Sequence, residues 1–256
     1  MTLELRTAAA TFPDGHRLEV RPDAWGQLIY AAEGVMRVKV GERLWIVPPA
    51  RAIWAPPRAT CEIFAHGALA TRTLYLSPRL STPLADEFRG MDVGPLLREI
   101  ILHVVGVGTL DGSQASQRRV IGLLLDQLRA TGRLPLSITL PSDRRARLVA
   151  ERLQKNPADR AALDSLARVA SASARTLQRL FHDETGLRFS EWRQRLRMLH
   201  AVARLGTGES VTTTAKRAGY ATTSGFIAAF RKQLGSTPLR FRCAAPHDSR
   251  RAEASP

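Results

Sequence analysis

Cysteine and acidic residues are scarce in this 256-residue chain. The two cysteines, Cys61 and Cys243, lie far apart and have no paired spacing, which excludes a disulfide framework and a cysteine-rich structural zinc site. The first residues contain no basic start followed by an apolar run, and the apolar run at residues 100–107 is too short to span a bilayer. We therefore expect a cytoplasmic protein with no membrane partner.

The shortage of acidic residues leaves a formal charge of +15, from 38 Lys and Arg against 23 Asp and Glu. The excess is concentrated in residues 142–242, which contain 20 basic and 8 acidic residues, whereas residues 1–141 contain 16 and 13. A compact region with this excess attracts polyanions, and nucleic acid is the commonest polyanion in a cell. A merely solvated basic surface is the alternative that charge alone leaves open.

Residues 16–78 have the pattern of many short strands. Runs rich in β-branched and aromatic residues cover residues 27–32, 35–40, 43–47 and 71–76. The second run alternates with period two, and Gly34 and Gly41 stand where tight turns would need glycine. Closely spaced short strands predict a small barrel or sandwich, and such a barrel can enclose a small ligand.

Helical periodicity follows the strands. Leu84, Phe88, Met91, Leu96, Leu97, Ile100 and Ile101 fit one or two helices. Residues 120–128 fit another helix, which Gly132 ends. These helices either cap the barrel or form a dimer surface. Pro135 and Pro141 disfavour helix and predict a linker, after which Ser142 offers an N-cap to a helix running towards Lys155.

The last hundred residues contain a duplicated pattern. The pattern of residues 175–186 is repeated 49 residues later at residues 224–235. The segments that precede them, 163–169 and 211–217, have a similar pattern at a spacing of 48. Ala167 and Ala215 occupy matching places, where small residues permit a close helix crossing. The pattern predicts two helix-turn-helix units joined by one long helix over residues 190–205, which fixes the distance between the units.

These residues resemble the AraC/XylS family of bacterial transcription regulators. The matching motifs are SARTLQRLF at residues 173–181, ETG at 184–186, GY at 219–220, Phe226, FRK at 230–232, Gly235, TP at 237–238 and FR at 241–242. They cover about a hundred residues, and several spaced positions agree at once. The resemblance implies a double helix-turn-helix domain that binds double-stranded DNA.

The front half is similar to the cupin-type sensor domain of one branch of that family. The similar segments are residues 27–31, 33–35, 47–49, 52–57 and 72–75. Relatives usually carry histidines at three places where this chain has Arg21, Asp23 and Cys61. This departure speaks against a metal-binding cupin, and we expect no metal and no cofactor.

The resemblance and the helical pattern together name the candidate DNA contacts. They are Ser173, Arg175, Thr176, Gln178, Arg179 and His182 in the first unit, and Thr223, Ser224, Ile227 and Arg231 in the second. Arginine can pair bidentately with guanine and glutamine with adenine, so we expect Arg175, Gln178 and Arg179 to contact bases. Ser173 and Thr176 are expected to contact phosphate or cap the helix. The second unit offers fewer side chains for base contacts, because Ala228 stands where relatives commonly carry arginine.

A barrel fused to a DNA-binding domain is expected to bind a small organic effector. Candidate pocket residues are Gln27, Tyr30, Trp45, Trp54 and Tyr75. The six histidines are scattered along the chain, and no catalytic triad, paired-cysteine or phosphate-loop pattern occurs in the sequence. A metal-dependent cupin enzyme fused to a DNA-binding domain and a non-specific architectural DNA protein are the competing hypotheses.

The sequence thus predicts an α+β protein, a cupin-like barrel with following helices and then an all-α domain of two helix-turn-helix units. The predicted ranges are a sensor barrel at 1–82, a helical capping or dimerisation segment at 83–132, a linker at 133–141, the DNA-binding domain at 142–243 and a disordered tail at 244–256. We expect a transcriptional regulator rather than an enzyme. Its expected partners are double-stranded DNA, a small-molecule effector, RNA polymerase if it activates, and a second copy of the chain.

Overall fold

The computed structural model describes residues 3–132 and 134–242. The strands are β1 Leu3–Phe12, β2 Arg17–Val20, β3 Gly26–Val40, β4 Arg43–Val47, β5 Arg51–Ala55, β6 Cys61–Leu76, β7 Arg89–Asp92, β8 Thr109–Asp111 and β9 Ser137–Thr139. The helices are α1 Pro78–Ser81, α2 Pro95–Val107, α3 Ala115–Ala130, α4 Arg144–Lys155, α5 Leu163–Val169, α6 Ala174–Thr185, α7 Phe189–Gly206, α8 Val211–Arg217 and α9 Thr223–Leu234, followed by a 3-10 turn at Pro238–Phe241. The predicted tail at 244–256 lies outside the described residues.

The strands form one antiparallel sheet around two long central strands, β3 and β6. The main path runs β7-β5-β3-β6-β1-β8, with β2 on β6 and with β4 between β3 and β9. Period-two alternation in the first part of β3 sends Ile29 and Ala31 to an inner cluster, whereas Leu28 and Tyr30 face the opposite side. Helices α2 and α3 cover that outer side. The expected α+β class, with a sheet domain followed by a helical domain, is confirmed.

Gly34 does not form the tight turn that the sequence predicts, because β3 runs through it as one 15-residue strand. The pairing register with β6 shifts on both sides of Glu33, and Gly34 has a φ of 69°. A β-carbon there would collide with the backbone of Ala68. Glycine is therefore required by a bulge and a close backbone approach. Gly41, with a φ of 55°, does lie at the β3–β4 turn.

The sheet also extends into ranges that the sequence assigned to helices and to the linker. Met91 belongs to β7 rather than to a helix, and α2 begins only at Pro95. The segment after Pro135 forms β9, which pairs with β4. The physical reason is that Leu134, Leu136, Ile138 and Leu140 alternate with period two, a strand signal that the neighbouring prolines masked. Both prolines lie outside the three residues of β9.

The helical domain follows its prediction closely. Helices α5 and α8 have the predicted bounds, and α7 extends the predicted long helix by one residue at each end. Ala167 and Ala215 are both buried at the helix crossings. One cap differs, because Asp143 rather than Ser142 caps α4 by accepting the Arg145 N–H at 2.9 Å. Ser142 instead donates through its N–H and its hydroxyl to the Glu184 carboxylate, at 2.6 and 3.1 Å.

One buried hydrophobic cluster joins the edge of the sheet to the helical domain. Val35 and Ile46 of the sheet belong to the same buried cluster as Trp192, Leu199 and other core residues of the helical domain. The Trp192 indole donates to the Thr139 carbonyl of β9 at 2.8 Å. The long helix that joins the two helix-turn-helix units is thus packed directly on the sheet. In the described part of the chain, no helix has the length and apolarity needed to cross a bilayer.

Candidate nucleic-acid interface and ligand cavity

Helix α6 presents a polar face whose N-terminal end is built by a side-chain cap. The Ser173 hydroxyl accepts the Thr176 N–H at 3.0 Å and lies 2.8 Å from the Thr176 hydroxyl. Leu177 and Phe181 are fully buried, and Leu180 packs against the same core. Burial of this stripe fixes the rotation of the helix about its axis and therefore decides which residues face solvent.

The residues on the outer face of α6 are Arg175, Gln178, Arg179 and His182, and all four are exposed. Within residues 3–132 and 134–242, none of their side chains is engaged in a hydrogen bond or ion pair. Their donors and acceptors are therefore free to meet an external partner. Ser173 and Thr176, by contrast, are already occupied in capping the helix.

Each helix-turn-helix turn contains one residue with a positive φ. Ser171 in the first turn has a φ of 52°, and Gly219, 48 residues later, has a φ of 81°. Both lie in the left-handed region, which favours glycine. The second helices then start from equivalent hydroxyl caps, Ser173 and Thr222, and end at equivalent left-handed glycines, Gly186 and Gly235. The duplication seen in the sequence is therefore a duplication of structure.

The outer face of α9 offers less hydrogen-bonding chemistry than that of α6. The positions equivalent to Arg175, Gln178 and Arg179 are Ser224, Ile227 and Ala228. Ile227 is half-buried and packs against the core, and Thr223 is half-buried. Ser224 and Arg231 are exposed, so they are the two predicted residues of this unit that reach solvent fully.

Several arginines of the basic domain are committed to internal contacts. Arg193 donates to the carbonyls of Asp159 and Ala161, and Arg197 donates to those of Pro157 and Asp159. These bonds hold the loop between α4 and α5 against α7. Net charge in the sequence could not separate such structural arginines from those on the outer face of α6.

A cavity of about 390 Å³ opens between β1, β2, β3 and β6. Gln27 and Tyr75 both line it, together with polar Thr71 and Thr73. Ile29 and Ile63 supply apolar walls. The cavity combines apolar surface with a few polar groups, which is the usual composition of a small-molecule site.

The other three predicted pocket residues are not in this cavity. Tyr30 and Trp54 are buried in the cluster under α2 and α3, and the Trp54 indole donates to the Ala85 carbonyl at 2.6 Å. Tyr30 is one residue from Ile29, so strand alternation sends its ring to the opposite face. Burial raises the pKa of the Tyr30 phenol. Trp45 borders a separate cavity at the junction with the helical domain.

Arg6, which the sequence analysis did not single out, contacts two residues of the cavity lining, Tyr75 and Asp23. The Arg6 guanidinium lies 4.9 Å from the Trp25 ring and 4.8 Å from the Tyr75 ring, and it forms an ion pair with Asp23. Arg6 belongs to β1, which the sequence did not identify as a strand. The stacked guanidinium holds Tyr75 and Asp23 at the cavity.

The three places where relatives carry histidine do not form a cluster of metal-ligand type. Arg21 and Asp23 line the cavity, whereas Cys61 is buried in the inner cluster. Burial raises the pKa of the Cys61 thiol to about 12. Among the described residues, no group of three or more His, Cys, Asp or Glu side chains is arranged to hold a metal ion. His16 stacks on Phe12 with ring centroids 5.1 Å apart.

Comparison with known proteins assigns both parts of the chain. Residues 5–190 match the AraC-like ligand binding domain, and residues 166–244 match a helix-turn-helix domain. The chain is 34% identical to the HTH-type transcriptional regulator NimR of Escherichia coli, over 84% of this chain and 79% of that protein. It is 32% identical to the HTH-type transcriptional regulator RipA of Corynebacterium glutamicum, over 84% of this chain and 61% of that protein.

Among solved structures, ToxT from Vibrio cholerae is similar with a TM-score of 0.38 and 9% identity, over 93% of this chain and 97% of that one. The family matches and the two relatives agree with the duplicated helix-turn-helix fold and with the sheet domain before it. The chain therefore belongs to the AraC family and is a transcriptional regulator with a helix-turn-helix DNA-binding domain and an AraC-like ligand-binding domain.

Proposed function

We propose that this regulator recognises a specific DNA sequence mainly through Arg175, Gln178 and Arg179 of α6. The observation that carries the proposal is the exposed outer face of that helix, where these side chains have no partner among the described residues. With α6 in the major groove, arginine binds the O6 and N7 acceptors of guanine, and glutamine binds adenine. His182 lies one turn further along the same face.

The second unit contributes phosphate contacts and recognition of DNA shape. Ser224 and Arg231 reach the backbone, and Thr223 and Ile227 pack close to it. A phosphate contact adds affinity without sequence information, because all sequences share the same backbone. The 18 residues of α7 span about 27 Å and keep the two units at a constant separation.

Selection of bound duplexes from a randomised pool tests the proposal. The full chain is expected to enrich one motif, and a variant carrying Arg175→Ala, Gln178→Ala and Arg179→Ala is expected to lose the enrichment while keeping weak, salt-dependent binding. Arg17→Ala, exposed on β2 and outside every surface proposed here, is the control and should enrich the original motif. Enrichment of that motif by the triple variant would show that α6 does not read the bases.

A small organic effector binds in the 390 Å³ cavity of the sheet domain, against Gln27 and Tyr75. Both side chains offer hydrogen bonds beside the apolar wall formed by Ile29. The test is a thermal-shift screen of the full chain against sugars, amines and aromatic alcohols. Compounds that raise the melting temperature should lose this effect in Gln27→Leu. If they stabilise that variant equally, they bind elsewhere.

The remaining partners follow from this role. The protein works in the cytoplasm, where its DNA is, and contacts RNA polymerase when its operator lies beside a promoter. It forms a homodimer through α2 and α3, whose Leu96 and Leu123 are exposed at 51% and 43%. Sedimentation of Leu96→Ser should show a smaller species than the parent chain, and an unchanged sedimentation coefficient would exclude this surface.

The protein works without an enzymatic metal centre. A metal-dependent cupin enzyme carrying a DNA-binding domain is the competing function, and its ligands would have to be clustered histidines and carboxylates. Elemental analysis of the purified chain separates the two functions. We expect far less than one metal ion per chain. A stoichiometric amount of a transition metal would favour the enzyme.

A further inference from the structure

The loop between α4 and α5, residues 156–162, touches both helix-turn-helix units. It leads directly into α5 of the first unit. On its other side, the Arg160 guanidinium donates to the carbonyl of Gly219, in the turn of the second unit, at 2.9 Å. A β-carbon on Gly219 would lie 3.3 Å from the α-carbon of Ala158. The loop and this turn are therefore in close backbone contact, although 59 positions separate Arg160 from Gly219 in the sequence.

The Asp159 carboxylate gives the loop a defined shape. One of its oxygens accepts the Ala161 N–H at 2.7 Å, and the other accepts the Nε–H of Arg152, on α4, at 2.9 Å. The bond from Ala161, followed by that from Arg152, lowers the pKa of Asp159. An aspartate that accepts the N–H two residues further on closes a turn without regular secondary structure. The loop is thus a folded element rather than an open connection.

Two arginines of α7 attach the loop to that helix. Arg193 donates to the carbonyls of Asp159 and Ala161, the latter at 2.8 Å. One turn later, Arg197 donates to the carbonyls of Pro157 and Asp159, both at 3.0 Å. Hydrogen bonds from a charged donor are stronger than those between neutral groups, and the planar guanidinium fixes their direction. The loop cannot shift along α7 without breaking several of these bonds.

The position of the loop bears on how the two units meet DNA. Helix α7 sets the distance between the units, but the orientation of α9 relative to α6 also depends on what holds the second unit against α7. The Gly219 turn connects α8 to α9, so a contact on this turn restrains the orientation of α9. Each base pair turns the major groove by about 35°, so two rigidly oriented helices fit only one spacing of their DNA segments.

We propose that the α4–α5 loop is a clamp that fixes the orientation of the second helix-turn-helix unit relative to the first, with Arg160 and Asp159 as its positioning residues. Arg160 holds the turn of the second unit. Asp159 shapes the loop so that Arg160 reaches that turn. The clamp makes the regulator selective for the spacing between its two DNA segments as well as for their sequence. It acts only if both units contact the duplex, so it rests on the function proposed above.

The first test measures the affinity of the full chain for a selected duplex and for versions with one base pair inserted or removed between the two protected segments. The parent should prefer the original spacing, and Arg160→Ala should reduce this preference about fivefold, because it loses the bond to the Gly219 carbonyl. Arg160 is exposed, so its loss leaves the core intact. The control is Arg144→Ala, exposed on α4 and without a hydrogen bond or ion pair among the described residues. It should keep the parent's preference.

Asp159→Asn tests the second positioning residue. Asparagine keeps the size of the side chain, but its amide nitrogen cannot accept the Arg152 N–H. This variant should also reduce the spacing preference. The double variant with Arg160→Ala should lose little more than Arg160→Ala alone, because both substitutions act through one contact. Additive losses would refute the role of Asp159 in positioning Arg160.

A second measurement needs no DNA. Arg160→Ala should speed amide exchange in residues 218–220, because the turn of the second unit loses its contact with the loop. The corresponding residues of the first unit, 170–172, are the internal control and should exchange as they do in the parent.

Three results would overturn the proposal. They are an unchanged spacing preference in Arg160→Ala, an equal loss of affinity at every spacing, which would make Arg160 a phosphate contact, and unchanged exchange in residues 218–220. If the parent enriches a motif and Arg160→Ala keeps the spacing preference, base recognition by α6 stands and the clamp alone fails. Failure of the parent to enrich any motif would refute the proposed function, whereas the exchange measurement tests the clamp without DNA.

Discussion

Arginine has three different uses in this molecule, and the environment of each side chain decides which one applies. Arg193 and Arg197 hold backbone carbonyls of the α4–α5 loop. Arg6 stacks on two aromatic rings beside the 390 Å³ cavity. Arg175 and Arg179 are exposed on the outer face of α6. Of these five arginines, the last pair alone is free to meet DNA, so the number of basic residues overstates the DNA-binding surface.

Arg179→Ala and Arg231→Ala should have different effects on DNA binding. Loss of a bidentate contact to one base removes about 1–3 kcal/mol of discrimination, so Arg179→Ala should relax sequence preference at one base pair. Arg231 occupies the place of His182 in the second unit and is proposed to contact phosphate, so Arg231→Ala should weaken binding to all sequences and reduce the salt dependence. Footprinting and salt titration of both variants measure these effects. An unchanged base preference in Arg179→Ala would refute its assignment.

His200 should make the free energy of unfolding depend on pH between about 4 and 6.5. Burial, together with the positive charges of Arg37 and Arg204, lowers its pKa from 6.5 to about 4. The unfolded chain therefore binds a proton at this histidine at a higher pH than the folded chain does. Stability is then present above pH 6.5 and falls as the pH drops towards 4, by about 3 kcal/mol in total.

Urea unfolding of the parent chain and of His200→Gln across this pH range measures the effect. The variant should show a flatter pH dependence, with the remaining slope coming from His66, whose pKa burial also lowers. His200 receives charge effects from β3, β6 and its own helix, so it reports on the junction between the domains. An equal slope in the two proteins would mean that His200 does not titrate abnormally.

Among the elements, α7 contributes to both domains. Its side chains join the two helix-turn-helix units, and its C-terminal end approaches the sheet at Gly206. A β-carbon at Gly206 would lie 2.7 Å from Val35 Cγ2 and 3.0 Å from Pro49 Cδ. The absence of a side chain there allows the helix to pack directly on the sheet.

Gly206→Ala should therefore destabilise the chain by about 1–3 kcal/mol through overpacking. The matched control is Gly122→Ala in α3, where a new β-carbon meets nothing within 4 Å. That control should gain about 0.5–1 kcal/mol, because alanine is the better helix former. Thermal or urea unfolding of the two variants gives the comparison. A gain in stability for both would show that α7 does not pack closely on the sheet.

The elements that the sequence predicted well are those defined by local chemistry. Helices α6 and α9 are bounded by a hydroxyl cap and a left-handed glycine and have a buried stripe at helical spacing, so their bounds follow from neighbouring residues. Strand β9 shows the opposite case. Its alternating apolar residues were visible, yet its pairing with β4 depends on distant residues, and Pro135 and Pro141 favoured a linker.

Of the candidate sites, the exposed face of α6 could be predicted from the sequence, whereas the cavity lining could be predicted only in part. Helical periodicity identified the exposed face of α6 because one buried stripe determines the opposite face. Predicting the 390 Å³ cavity would require knowing which face of each strand turns inward. The bulge at Gly34 shifts the pairing register of β3 and so changes which face that is. Gln27 and Tyr75 line one cavity, and their role in effector binding stays a prediction, whereas Tyr30, Trp45 and Trp54 lie outside that cavity.

In the whole molecule, the sensor and the DNA-binding domain are joined by packing as well as by sequence. The buried cluster that contains Trp192 also contains Val35 of β3, and the Glu42–Arg147 ion pair links the β3–β4 turn to α4. The cavity beside Trp45 is lined by Ile138 of this cluster, whereas Ile29 and Ile63 of the 390 Å³ cavity belong to a separate buried cluster.

Helix α7 is expected to hold α6 and α9 at a fixed separation. The most direct test changes the spacing between the two DNA segments that these helices contact. A duplex selected by the full chain is altered by inserting five base pairs between the two protected major-groove segments, and affinity and footprint are measured again. The rigid α7 predicts two protected segments about 34–36 Å apart in the original duplex, and after insertion it predicts loss of one segment and an affinity close to that for random DNA. Two protected segments with unchanged affinity after the insertion would contradict it.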